Sequence, residues 1–255
     1  MPSAKNINLK AEQEFENSKI RQGNKHARSK QEKYYAVVKN EIQTFEEIIK
    51  SKCHEKRVLE IGSSDGSLAF ATMQNARSYI GLDISDLAVD NANKFANQKE
   101  LNTFKFTVGD AHNLSFPDDD FDVVVAISIL HHLDLERTLP EIRRVLKSEG
   151  VLISREPLDA NPLFNFYRRL TPSSRTADEL PLTDQDLKIL LDNFNIKYIR
   201  YFGLLSLLSA FLGKTYTSRV VNKLLRSIDL FLEKTALKKY FWQVNIIATP
   251  KKTHD

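Results

Sequence analysis

Between residues 57 and 156, short apolar runs rich in β-branched side chains alternate with stretches of helical spacing, which predicts βαβ units and a mainly parallel sheet. The predicted strands are Arg57–Ile61, Tyr79–Asp83, Phe104–Val108, Phe121–Ser128 and Gly150–Glu156, with helices between them. Residues Val123–Ile127 and Val151–Ile153 are apolar without interruption, as expected of central strands covered on both faces; a half-exposed strand would alternate. Upstream, Val37, Val38, Ile42, Phe45, Ile48 and Ile49 recur at helical intervals within 34–50, so this helix is expected to dock on the sheet. Pro157, Pro162, Pro172 and Pro181 predict an irregular excursion over 157–182, followed by a helix capped by Thr183 or Asp184. Strands at Asn195–Phe202 and Trp242–Thr249 bracket a helical insertion, 204–240.

Composition narrows the picture. With 255 residues, 42% apolar, 27% charged and only 8 Gly and 8 Pro, the chain is neither collagen-like nor broadly disordered. The expected organisation is a mobile basic arm, 1–33, and a single domain, 34–255, whose segments 157–182 and 204–240 form a lid over the substrate. A lone cysteine, Cys53, cannot form an intrachain disulfide, and the first 30 residues carry no apolar run resembling a signal peptide. A cytoplasmic location is expected.

The net charge of +4 is unevenly placed. Residues 1–33 hold eight basic against four acidic side chains, and residues 214–240 hold seven against two. Two separate patches do not make a continuous face for a phosphate backbone, so nucleic acid is not the expected partner; the segment Lys19–Lys33 keeps RNA as a minor alternative. Tyr201–Gly213 is uncharged but, at 13 residues, shorter than the roughly 18 needed to cross a bilayer. The apolar positions that follow (Val220, Val221, Leu224, Leu225, Ile228, Phe231, Leu232) are expected to pack an insertion onto the domain, with peripheral membrane contact through 201–240 as the alternative.

The chemistry begins at Glu60-Ile61-Gly62-Ser63-Ser64-Asp65-Gly66, where a strand runs into a small-residue turn and then a helix. Such a turn lets a ligand approach the backbone at the carboxyl end of the strand. Asp83 ends the next strand, 21 residues after Gly62, the spacing at which a carboxylate can accept from both hydroxyls of a ribose. A dinucleotide would set its pyrophosphate beside Asp65, and like charges about 4 Å apart cost on the order of a few kcal/mol at a partly buried site. Ser67 also replaces the third glycine of the dinucleotide motif, and no Gly-Lys-Ser/Thr is present for a triphosphate. A ribose-bearing cation fits better: S-adenosylmethionine carries a sulfonium and an α-amino group, both attracted by Glu60 and Asp65.

Further signals are Ile84-Ser85 after Asp83, Gly109-Asp110-Ala111, the run Leu114 to Asp122, and His131-His132-Leu133 after the fourth strand. Taken together, and over roughly Tyr34 to Glu156, they resemble class I S-adenosylmethionine-dependent methyltransferases, the broad group that includes small-molecule and lipid-quinone methyltransferases. The resemblance implies an α/β, doubly wound, mainly parallel seven-stranded Rossmann-like sheet with an antiparallel final strand, and S-adenosylhomocysteine as product. It also implies that Asp110 bonds the adenine amino group, Ala111 and Ile84 touch the ring, and Ser128 lies beside the methionine part. Ser64 stands where the family often has a middle glycine. The expected cofactor residues are therefore Glu60, Gly62, Ser64, Asp65, Gly66, Asp83, Ile84, Asp110, Ala111 and Ser128.

Transfer to an oxygen usually needs a base, and His131 and His132 lie where the reacting centre should be. In extended backbone neighbours point to opposite faces, so one of the two would reach the cleft, while helix capping or packing is the competing role for both. His131-His132-x-Asp134 completes no convincing ligand set, and no metal is expected. Tyr34, Tyr35 and Glu156 are expected to line the pocket of a small, hydrophobic or lipid-linked acceptor. The alternatives are a non-catalytic cofactor-binding protein and an NAD-dependent oxidoreductase, the latter disfavoured by Asp65 and Ser67.

Overall fold

The computed structural model describes residues 9–21, 32–170, 180–212 and 216–251. Seven strands, β1 (Arg57–Ile61), β2 (Ser78–Asp83), β3 (Phe104–Val108), β4 (Phe121–Ile127), β5 (Leu146–Pro157), β6 (Phe194–Phe202) and β7 (Gln243–Pro250), form one sheet in the order 3-2-1-4-5-7-6. β7 runs antiparallel to both of its neighbours, and the pairs among β1 to β5 are parallel. Every expected strand forms, with ends within one residue apart from β5, which starts at Leu146 rather than Gly150.

Alternation along the strands sorts the helices into two layers. Leu59, Ile61, Val124, Ala126, Leu152, Val244 and Ile246 meet α6 (Leu135–Val145) and α8 (Asp184–Asn193) through Leu135, Leu139, Ile142, Val145 and Leu190. Val58, Val123, Val125, Ile153 and Ile247 meet α3 (Lys39–Cys53), α4 (Ser67–Thr72) and α5 (Asp86–Gln98) through Phe45, Ile49, Ala69, Val89 and Ala92. Strands buried on both faces are why the β1 and β4 sequences do not alternate. The expected 34–50 helix is present as α2 (32–37), a turn at Val38, and α3.

Two expectations change. Part of the arm expected to be mobile, 1–33, is α1 (Leu9–Arg21), which lies across the carboxyl end of β2; 1–8 and 22–31 fall outside the described residues. Its Gln13 donates to the Ile84 carbonyl (2.8 Å), and Asn17 donates to Asp86 (2.8 Å) and accepts from the Ser85 hydroxyl (2.6 Å). This helix has no buried residue, so it docks by hydrogen bonds, which hydrophobic patterning does not register. Within 157–182, expected to be irregular, Pro162–Leu170 form α7: Pro162 takes the first helical position, where its missing N–H is no loss. The base of this excursion is pinched by a bridge between Leu158 and Leu182, and Thr183 caps α8 in a reciprocal box with Asp186.

The second insertion comprises the 3-10 segment Ser206–Leu212, α9 (Tyr216–Leu232) and the 3-10 segment Ala236–Tyr240. Tyr34, Val38, Phe164, Phe202, Leu207 and Trp242 form a third apolar cluster where α2, α7 and this insertion meet above the ends of β6 and β7. Phe164 stacks on Trp242 with ring centroids 4.2 Å apart. The expected lid is thus a small core of its own.

Candidate active site

The strand order reverses between β1 and β4, and in an open α/β sheet the crevice at that reversal, beyond the carboxyl ends, is where ligands bind. The turn after β1 is built to be thin. Gly62 has φ +72°, and a Cβ there would lie 2.6 Å from Ile129; Gly66 has φ +77°, and a Cβ would meet the rings of Phe106 and Phe70 at 2.7 Å. Ser64 adopts φ +48°, a left-handed conformation that a non-glycine residue holds only when its surroundings impose it. What imposes it is Asp83: its carboxylate accepts from the Ser64 amide (2.7 Å) and from the Ser85 amide (2.9 Å). Asp65 accepts from the Ser67 amide and hydroxyl (3.1 and 2.5 Å), so it caps the start of α4. The middle position of the loop therefore needs no glycine.

Glu60, expected to face the ligand, is 3% exposed and lies beneath the loop, accepting from the Tyr79 hydroxyl at 2.5 Å. Burial pushes its carboxyl up to about 8; the Tyr79 hydrogen bond pulls it down, and the smaller repulsions of Asp83 and then Asp65 add to the rise. Burial also raises the Asp83 carboxyl despite its amide donors. Among the described residues no basic side chain pairs with Asp65 or Asp83, negative charge that fits a cationic ligand such as S-adenosylmethionine and repels a pyrophosphate, while Glu60 beneath the loop is neutral at pH 7.

The Glu60 shift has a measurable consequence. The folded state holds its proton up to about pH 8 and the unfolded chain releases it near 4.5, so this contribution to stability is complete below pH 4.5 and lost as pH rises to 8. Glu60→Gln keeps an acceptor for Tyr79 and removes the titration. Its stability relative to wild type in chemical denaturation is expected to improve between pH 5 and 8, by on the order of a few kcal/mol. A pH-independent difference would contradict the assignment.

After β3, Gly109 donates to the Asp83 carbonyl (3.0 Å), bringing 109–112 beside the acid. Asp110 accepts from the His112 amide (2.9 Å) and contacts His112 Nδ1 (2.6 Å), while His112 Nε2 accepts from the Asp134 amide (3.0 Å). These contacts place the His112 proton on Nδ1 and tie the turn after β3 to the start of α6. His112, absent from the expected site, was readable as the residue after Gly109-Asp110-Ala111. Ala111 is buried, Ile84 is half-buried beneath Gln13, and Ser128 is exposed in a left-handed conformation at φ +56°.

The two histidines do not sit on extended backbone; residues Leu130–His132 form a 3-10 turn. His131 is buried, with Nδ1 2.7 Å from Glu156 Oε2, and His132 Nδ1 lies 3.1 Å from Glu12 of α1. Their rings are 4.2 Å apart. Glu156 is 0% exposed and so lines no pocket; its Oε1 accepts from the Ile129 and Leu130 amides (3.1 and 3.0 Å), fixing the turn that carries His131. Asp134 caps α6 by accepting from Glu136, so His131, His132 and Asp134 have separate tasks. Among the described residues no group of three such side chains is disposed to hold a metal. Tyr34 is buried in the lid cluster, edge-on to Phe164, whereas Tyr35 is exposed with its ring edge-on to Trp242 (5.0 Å).

Comparison with known proteins agrees with this geometry. Residues 59–154 match the family model described as a methyltransferase domain. Similar proteins include the uncharacterized methyltransferase YcgJ of Bacillus subtilis, 37% identical over 97 residues and matched over 38% of each chain. Another is the demethylmenaquinone methyltransferase of Thermotoga maritima, 35% identical over 121 residues, covering 44% of this chain and 51% of that one. The chain thus spans about half or less of the length of these relatives. Among solved structures, the PH0226 protein of Pyrococcus horikoshii superposes with a TM-score of 0.57 at 20% identity, over 84% of this chain and 91% of the other, a likeness of fold.

Proposed function

Because the chain carries a class I S-adenosylmethionine-dependent methyltransferase domain, we propose that it methylates a small, hydrophobic or lipid-linked acceptor, with His131 as the base. When bound, the cofactor supplies an electrophilic methyl group on a sulfonium. The chain's own part is to hold that cation, aim the acceptor and take its proton. Asp83 would accept from the ribose hydroxyls, the Asp110 turn would meet the adenine, and Ser128 would lie by the amino-acid portion. Asp65 supplies negative potential beside the loop, and Glu60, neutral at pH 7, props the loop from below through its bond with Tyr79. α1, tied to Ile84, Ser85 and Asp86, closes the cleft against water.

The observation that carries this reading is the His131–Glu156 pair. A buried carboxylate at 2.7 Å from Nδ1 keeps the proton on that nitrogen, so Nε2 is the basic one, and it stabilises the imidazolium once a proton is taken. The apolar lid supports a greasy acceptor, as does likeness to a protein described as a demethylmenaquinone methyltransferase. Methyl transfer should be assayed on phenols or quinols with and without an isoprenoid tail. The tailed acceptors are expected to have kcat/KM at least about tenfold higher, since burying even a few methylenes is worth that much. Cofactor binding without turnover on any acceptor would favour the second reading, a non-catalytic binding protein.

A further inference from the structure

Among the described residues no helix is long and apolar enough to cross a membrane. We propose that the outward face of α9, with the adjoining 3-10 segment Ser206–Leu212, is a docking surface for an anionic lipid membrane. The apolar positions of α9, expected to be a packing face, divide into two stripes. Val221, Leu225 and Leu232 turn inward and are half-buried, beside Asn222, which donates to Ser209, and Arg226, which donates to Glu41 of α3. Val220, Leu224, Ile228 and Phe231, spaced by four, four and three residues, form the other stripe and are exposed, Leu224 at 61% and Phe231 at 70%. Leu208, Phe211 and Leu212 extend the exposed apolar surface on the adjoining segment.

Charge decides the occupant. Both acids of this region point inward: Asp229 is buried and accepts from the amides of Leu204, Leu205 and Ser206, and Glu233 pairs with Arg200 at 3.1 Å. The basic side chains Arg219, Lys223, Lys234, Lys238 and Lys239 are all exposed. The outer surface therefore combines an apolar stripe with positive charge alone, the arrangement by which a helix lies in the interface of an anionic bilayer with its apolar side among the acyl chains. A protein partner would be expected to meet charges of both signs at its rim.

This deepens the reading of a lipid-linked acceptor, but its test is read without turnover, so either can fail alone. The full chain is floated with vesicles of phosphatidylcholine containing about a third phosphatidylglycerol, and with phosphatidylcholine alone, at low and high salt. The protein is expected to float with the anionic vesicles at least about tenfold more than with the neutral ones, and less at high salt. Leu224→Ser/Phe231→Ser, which touches only exposed positions, should cut flotation about tenfold with an unchanged circular dichroism spectrum. Equal flotation on both vesicles, none on the anionic ones, or no loss in the double variant would overturn the proposal. So would a self-associated wild-type chain that the double variant converts to monomer, since the face would then be an interface between copies.

Discussion

Glu156→Gln is expected to leave the protein folded and able to bind S-adenosylhomocysteine while lowering kcat by about two to four orders of magnitude. The two oxygens of Glu156 divide their work, Oε1 taking the Ile129 and Leu130 amides and Oε2 facing His131 Nδ1. A glutamine can keep its carbonyl on the two amides, so the turn survives. Its NH2 group then points at His131, forcing Nδ1 to accept and moving the imidazole proton to Nε2, the nitrogen that has to be basic. His131→Asn should produce a similar loss, and the two together little more than either alone, because they disable one unit. Single-turnover measurements at saturating cofactor check this; a kcat within threefold of wild type in Glu156→Gln would remove His131 from the chemistry.

Asp83→Asn is expected to weaken S-adenosylhomocysteine binding about 10- to 100-fold, the worth of one charge-assisted hydrogen bond or of a loop set out of place. Wild-type Asp83 accepts from amides on both sides, Ser64 and Ser85, so an asparagine NH2 must oppose one of them. The loop then loses what holds Ser64 in its left-handed conformation, and the ribose loses an anionic acceptor. The effect should appear in Kd, with kcat at saturating cofactor changed far less than in Glu156→Gln. An affinity equal to wild type would mean that the ribose lies elsewhere.

Uninterrupted apolar runs such as Val123–Ile127 located the central strands, and Gly62, Gly66 and the acid 21 residues after Gly62 pointed to the crevice where the strand order reverses. What stayed hidden has physical causes. α1 has no buried residue and is held by Gln13 and Asn17, whose contacts lie about 70 positions away in sequence. Glu156 and His131 are 25 residues apart on different elements, so their pairing depends on parallel strands that spacing does not encode. Glu60 belongs to the loop motif, yet strand alternation turns it beneath the loop, where it meets Tyr79. In α9 successive residues turn by about 100°, so Val220/Leu224/Ile228/Phe231 and Val221/Leu225/Leu232 form neighbouring stripes, and nothing local says which of the two will be covered.

The central claim is that the crevice beyond β1 and β2 holds an adenosyl cation against its carboxylates. Calorimetric titration of the full chain with S-adenosylmethionine and, in parallel, with NAD tests it most directly. The account predicts saturable one-to-one binding of S-adenosylmethionine that Asp83→Asn weakens, and no heat from NAD; tight binding of NAD with none of S-adenosylmethionine would contradict it.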